Sequence, residues 1–183
     1  MMERKEVEQA LLTETANEKR ILTFAALLAK ASGSDVIVVG GSAIEVYTRG
    51  GYTSGDIDLT GDRRKIHLVL KAWEFKDEGR LWTHKDWKVA VEVVGAQYNG
   101  SLFRTSLIET PYGPVRVAAI EDLLIKRLAE AKHWKVKKAL DEAAILWAAT
   151  ADRLDYSYLE EQAKRYDVVD ILSDFRLRVN SQS

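Results

Sequence analysis

The chain has no cysteine, so disulfides, thiolate metal centres and a cysteine nucleophile are excluded. It also has almost no net charge. Its 27 Lys+Arg balance 28 Asp+Glu to leave −1, which argues against a surface coated for non-specific nucleic-acid binding. No apolar run approaches the roughly 18 residues of a membrane-spanning helix. The N-terminal Met-Met-Glu-Arg-Lys-Glu lacks the apolar core of a signal peptide. A cytoplasmic protein with no membrane partner is therefore expected. Histidine is scarce, at three; His84 and His133 lack zinc-site spacing, and His67 reads as a surface or half-buried residue. No serine or threonine sits in a recognisable nucleophile motif.

What is present suffices for a core. With 183 residues, 46% of them hydrophobic, the chain fits one compact domain or a catalytic domain with a helical appendage. The centre of interest runs from Val36 to Leu59. Val36 to Val39 is a β-branched run suited to a buried strand. It ends at Gly40-Gly41, where missing Cβ atoms allow a tight turn and close approach. Ser42 has the chemistry to cap a helix over residues 43–49. Strand, glycine turn and helix start together make a place for an anion such as phosphate. After a 13-residue gap, Asp56-Ile57-Asp58-Leu59 follows. On a strand, both carboxylates share one face, with Cα atoms about 7 Å apart, and both apolar side chains share the other. Two such acids repel and need a cation; magnesium with a substrate phosphate is a natural one.

Val39-Gly40-Gly41-Ser42 followed by Asp56-Ile57-Asp58-Leu59 resembles the signature of the DNA polymerase beta-like nucleotidyltransferase superfamily. Gly-Gly-Ser-Ala with Thr53-Ser54 ahead of the acids looks most like the small minimal and abortive-infection-toxin-like members. The resemblance implies an α/β (α+β) nucleotidyltransferase fold, a small mixed sheet flanked by helices with a C-terminal helical region. It also implies Mg²⁺- or Mn²⁺-dependent transfer of a nucleoside monophosphate from an NTP to an acceptor (RNA, protein or small molecule). Asp56 and Asp58 would bind metal, and Gly40, Gly41 and Ser42 the triphosphate, through backbone amides and the Ser42 hydroxyl. From another class, a non-catalytic nucleotide-binding or toxin–antitoxin-type regulatory module on the same fold is the alternative.

The flanking chain reads as a helix over 3–31 closed by Ser32-Gly33, and a second over 63–73 after the Gly61-Asp62 turn. Strands follow over 80–83 and 87–94, joined by a turn at His84-Lys85-Asp86. Glu92 is an acid at the centre of an otherwise apolar strand and needs a partner. That partner is either a structural salt bridge or the metal, since the superfamily carries a third carboxylate beside the acid pair, more often Asp. Residues 102–109 and 115–117 flank Pro111-Tyr112-Gly113-Pro114 as a hairpin.

The period changes near Ala118, giving a catalytic domain over 1–118 and a helical region over 119–183, with helices at 120–134, 136–149, 156–165 and 168–176. Asp155 is the expected cap of the third. In the first, Arg127 falls in the stripe formed by Ile120, Leu123, Leu124, Ala131 and Trp134. It either pairs with a buried acid or reaches a cleft to bind triphosphate. Lys126 lies toward the polar edge as a lesser nucleotide-binding candidate. Lys132, Lys135, Lys137 and Lys138 are a solvated face or a hold on a nucleotide tail or RNA backbone. Asp141 loosely matches an acid of the toxin-type enzymes and fits a surface role at least as well. The five tryptophans read mostly as core or edge packing.

Overall fold

A computed structural model describes residues 4–181. The chain divides into two compact units, Met1–Ala118 and Ala119–Ser183. Among the described residues, no helix is long and apolar enough to cross a membrane.

The first unit opens with α1 (Arg4–Thr13) and α2 (Asn17–Ser32) rather than one helix; the expected residue 3 lies outside the described residues. The break falls at Thr13 and Thr15, whose β-branched side chains disfavour a helix, and Ala16 is extended there. The Arg20 guanidinium satisfies the freed Leu11 carbonyl at 2.8 Å and also donates to Trp87 O at 2.7 Å. After α2 come β1 (Ile37–Val38), α3 (Gly40–Thr48), β2 (Ile57–Thr60), α4 (Arg63–Ala72), β3 (Lys76–Asp77), β4 (Trp82–His84), β5 (Val89–Gly95), β6 (Ser106–Ile108) and β7 (Val115–Val117). The sheet order is β3-β4-β5-β2-β1-β7-β6. It is mixed: β1 runs antiparallel to β2 and parallel to β7, and β2 is parallel to β5. Val38, Leu59, Val91 and Val117 are fully buried, and α2 packs on β1 and β7.

Three expected boundaries move. Arg80 lies in the β3–β4 turn and Leu81 closes it, since Glu78 N–H bonds Leu81 O across the two residues Gly79 and Arg80. His84 is in β4 rather than the turn after it, and Trp87 is in that turn. Leu102–Arg104 is a 3₁₀ turn, stopped by Thr105 Oγ1 donating to Leu102 O at 2.6 Å, so only Ser106–Ile108 pairs with β7.

His84 is buried and stacks on Trp87 at 4.1 Å, with its Nδ1 accepting the Trp87 N–H at 3.2 Å. Burial, and secondarily Arg4, pushes its pKa below 6.5; Asp86, Glu74 and Glu8 oppose this. The unfolded chain then binds more protons than the folded one below pH 6.5, so this contribution is complete above 6.5 and is lost as pH falls beneath it. Melting temperature should fall between about pH 7 and about pH 5, and less so for His84→Gln. Equal slopes for the two proteins would contradict this.

The second unit is all helix: α5 (Ile120–His133), α6 (Lys138–Thr150), α7 (Tyr156–Arg165) and α8 (Val169–Asn180). Leu128, Leu146, Leu159 and Val168 are fully buried. Asp155 caps α7, accepting the Tyr158 N–H at 3.0 Å. Trp73, Trp82, Trp87 and Trp147 are buried. Trp134, expected on the core stripe, is 70% exposed because α5 ends one residue before it and Lys135 turns the chain with φ +55°.

Candidate metal and phosphate site

The site grows from two neighbouring parallel strands. Asp58 of β2 lies in register with Glu92 of β5, and Asp56 stands one residue before β2. The pleat sends Ile57, Leu59, Val91 and Val93 into the core and leaves the acids on the opposite face. One oxygen from each of Asp56, Asp58 and Glu92 lies within 4.8 Å of the other two, and all three residues are half-buried. Around them, Glu92 Oε2 has Arg80 Nε at 3.4 Å, and Asp58 Oδ2 accepts the Gly41 N–H at 3.1 Å. Among the described residues nothing pairs with the Asp56 carboxylate.

The glycine corner is built against these acids. Val39 N–H bonds Asp58 O at 3.0 Å, bringing the end of β1 onto β2. Gly40 has φ +56°, and a Cβ there would lie 2.4 Å from Asp58 Oδ2; only glycine meets both demands. A Cβ on Gly41 would meet Ser54 Oγ at 2.9 Å and the Tyr52 ring at 3.4 Å. The start of α3 therefore faces the acid cluster with bare backbone.

Ser42 departs from both expected roles. The helix begins at Gly40, two residues before it. Its fully buried hydroxyl donates to Asp56 O at 2.8 Å and accepts the Asp58 N–H at 2.9 Å. It pins the acid-bearing strand instead of capping the helix or presenting a hydroxyl to a ligand. Ser42→Ala removes the acceptor of the Asp58 N–H and the donor to Asp56 O, and should cost about 1–3 kcal/mol. Urea denaturation measures this, and an unchanged midpoint would contradict it.

Sequence reasoning missed Glu45 and Arg80. Glu45, 1% exposed, accepts from Asn17 Nδ2 and from the Ser54 amide, each at 2.7 Å. Ser54 Oγ in turn donates to Asp56 O at 2.8 Å. Glu45 thus fixes the loop leading to the acids. Its signal was the one that exposed Glu92, an acid inside an apolar run (Ala43-Ile44-Glu45-Val46-Tyr47). Arg80 gave no such signal.

Arg127 and Lys126 lie in the second unit. Arg127 Nε is 2.6 Å from Glu142 Oε2, and Nη1 is 2.7 Å from Glu130 Oε2. Of the two readings left open by the sequence, pairing with a buried acid is the one seen. Lys126 and Asp141 are exposed.

Three carboxylates converging this closely could hold a metal ion. The donors are all hard oxygens, as Mg²⁺, Mn²⁺ or Ca²⁺ require, and the unpaired Asp56 carboxylate supplies charge free to meet a cation. No protein-family model and no curated protein sequence matches the chain. Among solved structures, an antigenic nucleotidyltransferase-like protein from Paracoccidioides brasiliensis superposes with TM-score 0.55 at 16% identity, over 72% of this chain and 74% of that one. The fold is nucleotidyltransferase-like. At that identity the likeness extends to the fold and no further.

Proposed function

We propose that the protein is a divalent-metal-dependent nucleotidyltransferase, moving a nucleoside monophosphate from an NTP to an acceptor with release of pyrophosphate. One observation carries this reading: Asp56, Asp58 and Glu92 converge beside the Gly40–Gly41 corner, on a nucleotidyltransferase-like fold. The three acids would hold Mg²⁺, with Glu92 on the acceptor side. Bound there, the metal supplies charge neutralisation for the attacking and leaving oxygens of an in-line displacement.

The protein's own groups do the rest by position. Gly40 and Gly41 leave room for a triphosphate at the positive end of α3. Ser42 and Ser54 hold the Asp56 carbonyl, and Ser42 also holds the Asp58 amide, so the two acids keep their place on the strand. Neither Arg127, committed to Glu130 and Glu142, nor exposed Lys126 is needed to build the acid cluster. The acceptor is RNA, a protein or a small molecule, and the proposed location is the cytoplasm.

Calorimetry of NTP binding with and without Mg²⁺, followed by pyrophosphate release over candidate RNAs and proteins, tests the proposal. Mg²⁺-dependent binding with release in the presence of an acceptor is expected. Binding with no turnover on any acceptor would favour a nucleotide-binding regulatory module of the toxin–antitoxin kind. No NTP binding would contradict both.

A further inference from the structure

A cation already touches the acid cluster: Arg80, and the fold delivers it there. It sits at the tip of the β3–β4 hairpin. The Glu78 N–H bonds Leu81 O at 2.9 Å, and Gly79, with φ +85°, takes the left-handed position of the two-residue turn. Gly79 N–H also bonds Asp77 Oδ1 at 2.9 Å. The β4–β5 register places Trp82 opposite Val91, so one step further Leu81 falls opposite Glu92 and Arg80 comes just beyond. The turn is closed by its own backbone and by Asp77. It does not depend on where the Arg80 side chain lies.

That side chain is 75% exposed, yet its Nε is 3.4 Å from Glu92 Oε2, while Glu92 is only 17% exposed. The half-buried acid is fixed by its strand; the arginine reaches it from solvent and can leave at small cost. We propose that Arg80 is a displaceable counter-ion of the acid cluster, covering Glu92 in the metal-free protein and giving way when a divalent cation uses that carboxylate. This rests on the metal reading given under Proposed function. A guanidinium on Glu92 and a metal sharing the same oxygens repel each other, so Arg80 stabilises the metal-free state and weakens the idle protein's hold on metal. In the sheet order, β5 lies on one side of β2 and β1 on the other. Arg80 therefore guards the Glu92 side and leaves the Gly40–Gly41 side open.

Mn²⁺ alone, with no nucleotide, is the probe. Titration by electron paramagnetic resonance should show Arg80→Gln binding Mn²⁺ about two- to fivefold more tightly than the wild type, the range of an exposed ion pair. The metal-free Arg80→Gln protein should melt lower and gain more on adding Mn²⁺. In a Glu92→Gln background, the Arg80 substitution should leave Mn²⁺ affinity unchanged, because its partner is gone. An arginine serving only the hairpin would lower the melting temperature in both backgrounds and leave Mn²⁺ affinity untouched, which would overturn the inference. Equal or weaker Mn²⁺ binding by Arg80→Gln would overturn it alone and leave the metal reading standing. No Mn²⁺ binding by either protein would overturn both.

Discussion

Asp58→Asn should reduce Mg²⁺-dependent nucleotide transfer by about a thousandfold or more, some 4 kcal/mol of transition-state stabilisation, while the melting temperature stays within a few degrees. The two halves of this expectation have separate origins. Asp58 Oδ2 accepts the Gly41 amide at 3.1 Å, and an asparagine oxygen can do the same. The strand itself is held by main-chain contacts that the substitution leaves alone, Val39 N–H to Asp58 O and Ser42 Oγ to the Asp58 amide. What is lost is the charge. Removing one of the three negative charges leaves only Asp56 and Glu92, for the second of which Arg80 competes, to hold the metal. A site that has lost its central carboxylate holds Mg²⁺ less tightly and no longer fixes it between the attacking and leaving oxygens. Initial rates of pyrophosphate release alongside thermal melts give both numbers. An Asp58→Asn protein retaining wild-type rates would remove the acid cluster from the chemistry.

Gly40→Ala should damage fold and function together. The added Cβ would lie 2.4 Å from Asp58 Oδ2 and 3.0 Å from its Cγ, at a backbone φ of +56°. The left-handed conformation alone costs a non-glycine residue about 1–2 kcal/mol. The clash adds to it, because the neighbour is a strand residue pinned on both sides of its peptide. A total of about 2–4 kcal/mol and a fall of roughly 5–15 °C in melting temperature are expected. The surviving folded protein should bind Mn²⁺ poorly, since Asp58 is pushed off its position. Gly55→Ala is the matched control. A Cβ there would have no atom within 4 Å and the φ is unexceptional, so it should change stability by no more than about 0.5 kcal/mol. Similar losses at both glycines would refute the close-approach argument.

Much of this arrangement was legible in the chain. A β-branched run ending in two glycines, and an acid pair alternating with Ile57 and Leu59, are local patterns whose periods translate directly into strand, turn and face. Glu92 was legible for a different reason: a charge amid Val89, Val91, Val93 and Val94 is costly unless it has a partner. Partners were harder to read. Arg80 sat in what looked like a strand, and its approach to Glu92 depends on a hairpin whose first strand, Lys76–Asp77, is only two exposed residues with no apolar pattern to announce it. Ser42 had the right chemistry and the wrong assignment. Cap propensity favours a serine at a helix start, but the strand beside it offered the Asp58 amide and the Asp56 carbonyl, and those won.

The helical unit teaches the same lesson. Arg127 stood out on its stripe, but Glu142 lies 15 residues further along on another helix, at 2.6 Å in space, a distance no periodicity encodes. Trp134 fitted the stripe by angle and missed the core because α5 stops at His133. Angular position matters only while the helix lasts.

A crystal of the protein grown or soaked with ATP and Mn²⁺, read by anomalous scattering, tests the central claim most directly. Manganese should lie among Asp56, Asp58 and Glu92, with Arg80 withdrawn from Glu92 and the triphosphate running toward Gly40 and Gly41. Manganese bound elsewhere, or a nucleotide seated away from the glycine corner, would contradict the assignment of these acids as a metal-dependent nucleotidyl-transfer site.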